Sequence, residues 1–198
     1  GAAAEIGSKA NVSVVTPAKV KERELKTRHD LMAMVEVLSE ECGVEGSGRY
    51  VHWGATSYDI VDTSWALVMR DGVEILEGRL RVLRDALCDL ALKHKDLVEV
   101  GRTHGQHAIP ITFGFKMAVY AAEAGRNLER LRELKPRLLV GKMSGAVGTM
   151  SSQGAKAFEV ERLVMEKLKL KPAEITTQVV CRDRMAEFVC WAAVAASS

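Results

Sequence analysis

The sequence predicts an all-α protein built from long helices that pack side by side. Aromatic residues make up only 5% of the chain, while aliphatic and long charged residues dominate, a balance that favours helices packed through aliphatic side chains. Leucines repeat at alternating intervals of four and three residues, the spacing of a seam in a helical bundle: Leu76, Leu80, Leu83, Leu87 and Leu90. Strand-like alternation is confined to residues 12–15 and 179–181.

The helices can be placed in chain order from their apolar spacing. A short helical segment precedes residue 11, and Pro17 can open the next helix, predicted over residues 18–42. A helix over residues 59–95 would be ~55 Å long at ~1.5 Å per residue, so it needs neighbours of similar length. Further helices are predicted over residues 112–135, with a break or kink at Pro136, over residues 155–170, and from residue 185 onward.

Charge and cysteine content exclude several classes of protein. The 28 basic and 26 acidic residues leave a net charge of +2, too small to predict a nucleic-acid partner. Cys42, Cys88, Cys181 and Cys190 are widely spaced and form no CxxC pair, which favours reduced, buried thiols over a zinc site or disulfides. The sequence opens on no secretory signal and has no apolar run of ~18 residues, so a soluble, cytoplasmic protein without a membrane partner is expected.

One polar stretch, GRTHGQHAIPITFGFK over residues 101–116, combines several chemistries between two long apolar segments. Arg102 can hold an anion, Thr103 and Gln106 can form hydrogen bonds, and His104 and His107 can transfer protons. Such a stretch is either a solvated loop between helices or one wall of a functional site.

Three further polar clusters lie at the ends of predicted helices, at residues 28–30, 52–59 and 178–184. Two of them have a simple structural alternative: the first can be a solvated charge run, and Thr56, Ser57 and Asp59 in the second are all common helix N-caps. The glycine-rich residues 141–154 lack the phosphate-binding motifs, so a flexible connection is favoured there. Helix ends can converge in a bundle, so the clusters can still form one site.

Five blocks, in order, resemble the fumarase/aspartase superfamily of lyases. They are TRHDLMAMVEVLSEECG, YVHWGATSYDIVDTSWAL, GRTHGQHAIPITFGFK, SGAVGTM and TTQVVCRDR. The resemblance is closest to the adenylosuccinate branch. Argininosuccinate lyases are expected to carry a GRSRND-like block in place of GATSYD, and carboxymuconate cycloisomerase-like members typically have Trp where this chain has His104.

The resemblance implies a central long-helix bundle that assembles as a homotetramer with active sites shared between subunits. It implies an anti β-elimination that releases fumarate from adenylosuccinate, giving AMP, and from the succinylated aminoimidazole carboxamide ribotide of purine biosynthesis. Neither a cofactor nor a metal ion is expected. Two other hypotheses stay open: a non-catalytic helical oligomerisation module on the same scaffold, and a superfamily member that acts on another succinyl-type substrate.

By resemblance, His104 is the general acid that protonates the departing nitrogen, a task suited to a side chain whose unperturbed pKa is ~6.5. His29 is expected to orient or charge His104 and to contact substrate, with Arg28 and Asp30 beside it.

The remaining expected contacts hold the fumarate end of the substrate. Thr56, Ser57 and Thr103 are expected to hydrogen-bond the fumarate carboxylates, and Gln178 the same end of the ligand. His52 is expected to be adjacent to substrate or to support the residues that touch it.

The superfamily's serine-rich signature loop, which carries the catalytic base, has no counterpart in these residues, and Ser197 and Ser198 are not assigned its role. Residues 1–50 are therefore expected to be the remnant of an N-terminal helical domain, and residues 51–198 part of the central domain. On its own this chain is expected to be inactive, because it carries an acid without its base.

Overall fold

The computed structural model describes residues 1–197, which are mostly helical. Those residues form seven α-helices: α1 Ala2–Lys9, α2 Pro17–Thr27, α3 Asp30–Glu41, α4 Ser57–Lys93, α5 Phe113–Leu138, α6 Ala157–Leu168 and α7 Asp183–Ala196. Four strands accompany them: β1 Val98–Thr103, β2 Gln106–Thr112, β3 Val140–Gly141 and β4 Lys171–Pro172. Two 3-10 helices, Ser47–Tyr50 and Ser151–Lys156, complete the set. The all-α prediction is confirmed.

The chain divides into two compact units. The first contains Gly1–Thr63, Lys142–Met165 and Pro172–Val180, and the second contains Ser64–Gly141, Glu166–Lys171 and the chain from Cys181 onward. The boundary expected near residue 50 concerns the domains of the whole protein and stays a prediction.

The single helix predicted over residues 18–42 is wrong, because the chain turns sharply between α2 and α3. Arg28 adopts the left-handed conformation with φ of 53°, which ends α2. His29 then caps α3, its Nδ1 accepting a hydrogen bond from the backbone N–H of Met32 at 3.3 Å. Apolar spacing alone does not reveal this break, since α2 has no fully buried residue and so adds no apolar stripe of its own to that of α3.

Residues 98–112 form an antiparallel β-hairpin. The solvated loop between helices, one of the two interpretations of the polar stretch, is therefore not what the chain forms here. Thr103 pairs with Gln106, and the two residues between them, His104 and Gly105, have φ of 53° and 72°. Two consecutive left-handed residues make a type I′ turn, whose twist matches that of the flanking strands. Residues 12–15 and 179–181, the segments with strand-like alternation, are not strands.

A bulge between Val100 and Arg102 shifts the register of this hairpin. Gly101 occupies the bulge, and a Cβ added there would lie 2.4 Å from the carbonyl oxygen of Ile109. Glycine is therefore required for the two strands to approach at this point.

The core of the second unit forms where α4, α5 and α7 meet. Its buried residues are Val73, Leu131, Leu134, Leu138 and Trp191. Pro136 lies within α5 and the helix continues to Leu138, so of the two alternatives at Pro136 the break does not occur there.

Several apolar residues on α4 remain uncovered. Leu76, Leu83 and Leu90 of the leucine seam are each at least 38% exposed. The expectation of buried thiols is wrong for three of the four: Cys42 is buried, but Cys88, Cys181 and Cys190 are exposed, because no element within residues 1–197 covers them. None of the helices described within residues 1–197 is both long and apolar enough to cross a membrane.

Candidate active site

The hydroxyl pair Thr56 and Ser57 lies at the start of α4, in the first unit. Asp59, in the first turn of the helix, accepts a hydrogen bond from the backbone N–H of Thr56 through Oδ2 at 2.8 Å. This contact is the acidic half of a capping box, and it fixes the direction in which the chain enters the helix. The predicted helix start at this cluster is confirmed.

Asp59 also binds a second loop. Its Oδ1 accepts from the backbone N–H of Ser144 at 2.9 Å, and its Oδ2 accepts from that of Gly145 at 3.0 Å. The ammonium group of Lys142 donates to Oδ1 as well, and both members of this ion pair have fully buried side chains. Burial raises the pKa of Asp59, but Lys142 and the N–H groups of Thr56 and Ser144 outweigh it and hold the pKa below its ordinary value.

The segment that carries Gln178 is fixed by contacts on both sides of it. Val180 donates its backbone N–H to Oδ2 of Asp62 at 2.8 Å, and Asp62 lies about one helical turn after Asp59. On the other side, the hydroxyl oxygen of Thr176 lies 3.0 Å from that of Ser144. The side chain of Gln178 itself is exposed.

Gly148 lets two loops of the first unit approach closely at Thr176. Its φ is 83°, and a Cβ added there would lie 2.1 Å from the carbonyl oxygen of Thr176. Glycine is required here both for the backbone conformation and for space.

His29 and Ser57 are brought together although they are far apart in sequence. Nε2 of His29 lies 3.3 Å from the Oγ of Ser57. Because Nδ1 accepts from Met32 when the ring is neutral, that tautomer carries its proton on Nε2, which can donate to Ser57. Arg28 and Asp30 flank His29, and Asp30 Oδ1 lies 3.4 Å from Nδ1, a contact that becomes an ion pair when the ring is protonated.

His52 is half-buried and has a left-handed backbone with φ of 62°. Burial lowers the pKa of its imidazole, and His29 lowers it further, while Asp59 opposes both effects. Lowering the pKa of His52 favours a neutral ring at neutral pH.

Thr103 and His104 lie side by side at the tip of the β-hairpin in the second unit, and both are exposed. The type I′ turn projects His104 at the end of two paired strands, which hold its backbone in one conformation. His107 pairs with Arg102 across the hairpin, and His94 packs edge-on against Phe113.

Two of the expected site residues, His29 and Ser57, therefore contact each other within the first unit. The segments that carry Thr56 and Gln178 are both anchored to residues of α4. The sequence interpretation assigned no role to Lys142, Ser144 or Thr176, which hold this arrangement together. A lysine between Gly141 and Met143, in an otherwise uncharged glycine-rich segment, was the one available signal.

A cavity of about 560 Å³ lies in the first unit beside the same loops. Ser144, Gly148, Glu161 and Thr176 are among the residues that line it. This volume is within the range of small-molecule sites. Across residues 1–197, His, Cys, Asp and Glu side chains form no group of three or more that could hold a metal ion.

The chain belongs to the lyase family, whose family model matches residues 4–198. Its relatives include the adenylosuccinate lyase of Pyrococcus abyssi, which is 52% identical over 193 residues, a match that covers 98% of this chain and 42% of the relative. The adenylosuccinate lyase of Methanocaldococcus jannaschii is also 52% identical, over 95% of this chain and 40% of the relative. The predicted resemblance to the adenylosuccinate branch is confirmed.

A solved structure supports the same assignment of fold. The crystal structure of fumarate lyase from Mesorhizobium sp. BNC1 matches with a TM-score of 0.90 and 38% identity, covering 99% of this chain and 46% of that one. The expected lyase bundle is therefore confirmed. The chain spans about two fifths of the length of the curated relatives it matches.

Proposed function

We propose that the whole protein releases fumarate from adenylosuccinate, giving AMP, and from the succinylated aminoimidazole carboxamide ribotide. The observation that carries this proposal is the contact between His29 and Ser57 at the start of α4, within a chain that is 52% identical to adenylosuccinate lyases. A dicarboxylate needs several hydrogen-bond donors held in fixed positions, and this hydroxyl turn supplies them next to an imidazole.

The reaction is an anti β-elimination. A base removes the proton on Cβ of the succinyl group, the Cα–N bond breaks as the C=C bond of fumarate forms, and an acid gives a proton to the departing nitrogen. We assign the acid to His104, because its exposed position at the hairpin tip leaves the imidazole accessible to a ligand. The base is not assigned to any residue of this chain.

Thr56, Ser57, Thr103 and Gln178 are the proposed ligands of the fumarate carboxylates. Hydroxyl and amide groups suit this task because their O–H and N–H donors can hydrogen-bond the carboxylate oxygens in both the bound substrate and the transition state. The anchoring of Thr56 by Asp59, and of the segment around Gln178 by Asp62 and Ser144, supports these assignments.

His29, Arg28 and Asp30 are proposed to act together at the start of α3. His29 contacts substrate and helps to orient or charge the acid. Arg28 supplies positive charge for the anionic substrate, and Oδ1 of Asp30 lies 3.4 Å from Nδ1 of His29.

The whole protein is proposed to form a homotetramer whose active sites combine residues from several copies. The exposed leucines of α4 support this proposal, since a seam of that length is costly to leave in water. Because its substrates are charged nucleotides of purine metabolism, the protein is proposed to act in the cytoplasm.

The test is an assay of fumarate release by the whole protein, followed by absorbance, with each of the two purine substrates. Release from either one is the expected result, and release from neither overturns the proposal. If neither purine substrate is cleaved, a panel of other succinyl-type compounds shows whether the protein acts on a different substrate or has no lyase activity. If the protein is a non-catalytic module, adenylosuccinate leaves its melting temperature unchanged, whereas a working site saturated at ~100 times Kd is stabilised by ~2.7 kcal/mol.

A further inference from the structure

A buried ion pair joins the two loops that meet at the start of α4. The carboxylate of Asp59 accepts from Lys142 and from the backbone N–H groups of Thr56, Ser144 and Gly145. A carboxylate offers about four acceptor positions, so these donors saturate it. Asp59 is 2% exposed and Lys142 is 1% exposed, so neither can contact a ligand directly.

The backbone of Lys142 is fixed by a second residue of the same helix. Thr63 accepts the N–H of Lys142 at 3.0 Å, and its hydroxyl lies 3.2 Å from the carbonyl oxygen of Lys142. Asp59 and Thr63 are four residues apart and so lie on the same face of α4. One face of the helix therefore holds both the side chain and the backbone of Lys142.

We propose that Asp59 and Lys142 are the positioning residues of the substrate site, holding the Thr56–Ser57 turn and the Ser144–Gly145 loop in a single relative arrangement. This inference rests on the proposed function. Buried ion pairs add little net stability compared with apolar residues of the same volume. An apolar pair at these positions, however, could not accept the three backbone N–H groups that come from the two loops.

The consequence for the reaction is a specific kinetic pattern. Thr56 and Ser57 are proposed to hold a carboxylate in both the bound substrate and the transition state, so their displacement weakens both states together. Loss of such uniform binding raises KM and leaves kcat nearly unchanged.

The test compares single and double variants of the whole protein. Asp59→Asn leaves the Lys142 ammonium buried without its counter-charge, so this variant should melt at a lower temperature. The double variant Asp59→Leu/Lys142→Met removes both charges and every side-chain acceptor at residue 59, and it should regain much of the lost melting temperature. Its KM should nevertheless stay at least tenfold above that of the wild type, because the loops are still released.

A matched control is Asp71→Asn on the same helix, since Asp71 is exposed and pairs only with its neighbour Arg70 at 3.3 Å among the contacts described. This variant should keep the wild-type KM and melting temperature. A KM that rises and recovers together with the melting temperature would show that the pair is merely structural, and would overturn the inference.

Hydrogen exchange supplies a readout that needs no activity. In the double variant the amides of Thr56, Ser144 and Gly145 should exchange at least tenfold faster, while that of Leu131 in the second unit is unchanged. If all three amides stay fully protected, the inference is overturned whatever the kinetics. If the amides lose protection but KM is unchanged, the inference is overturned as well. Failure of the proposed function is read separately, from absence of fumarate release by the wild type.

Discussion

The indole N–H of Trp191 on α7 donates a hydrogen bond to the backbone oxygen of Asn127 on α5 at 2.9 Å. Trp191 is 6% exposed and belongs to the buried cluster of the second unit. Trp191→Ala should therefore lower the free energy of unfolding by ~3–5 kcal/mol, because it opens a cavity and removes the hydrogen bond. Trp191→Phe keeps most of the ring volume and should cost ~1–2 kcal/mol. Denaturant unfolding measures both, and equal losses would contradict the packing role of the ring.

Glu77 on α4 should make stability depend on pH in the acid range. Hydrogen bonds from Lys135 and Arg81 outweigh partial burial and lower the pKa of Glu77 from 4.5 to about 2. Since the folded-state pKa lies below the ordinary value, this stabilisation is present above pH 4.5 and is lost as pH falls towards 2. The free energy of unfolding of Glu77→Gln should thus be lower than that of the wild type at neutral pH, with the gap closing in acid. Glu74→Gln, at an exposed position of the same helix, should show no such dependence.

His104 offers a substitution that separates chemistry from backbone conformation. Asn tolerates the left-handed conformation and is favoured in type I′ turns, so His104→Asn should preserve the hairpin. Loss of the proton donor should lower kcat by ~10²–10⁴-fold, with little change in melting temperature. Fumarate release and thermal unfolding of the same samples check this prediction. Wild-type kcat in the variant would rule out His104 as the acid.

Gly148 and Gly145 form a matched pair for testing the loop that holds the segment of Gln178. Both have positive φ, 83° and 79°, so an alanine at either position carries a strain of ~1–2 kcal/mol. Only at Gly148 would the new Cβ also collide with backbone, 2.1 Å from the oxygen of Thr176, whereas at Gly145 the nearest atom within reach is 3.8 Å away. Gly148→Ala should therefore raise KM well above that of Gly145→Ala. Equal KM values would mean that the close contact between Gly148 and the backbone of Thr176 does not position Gln178.

Local signals in the sequence carried the helical part of the prediction. The leucine spacing and the capping residues at Thr56–Asp59 placed α4 within two residues of its observed ends. The break at Arg28 was missed because its left-handed backbone leaves no mark on apolar periodicity. The hairpin was missed because its second strand is almost entirely exposed and so lacks the alternation that a half-buried strand shows.

The sequence by itself determined the helical class, the family and the polar blocks that contain the expected site residues, because periodicity, caps and motifs are encoded by neighbouring residues. The tertiary structure alone decided that Asp59 meets Lys142, 83 residues further along the chain, and that His29 meets Ser57. Asp59 reads locally as an ordinary helix cap, and Lys142 as a solvated charge in a glycine-rich connection. Both become buried because the loop returns to one face of α4, where the only way to keep two charges out of water is to pair them.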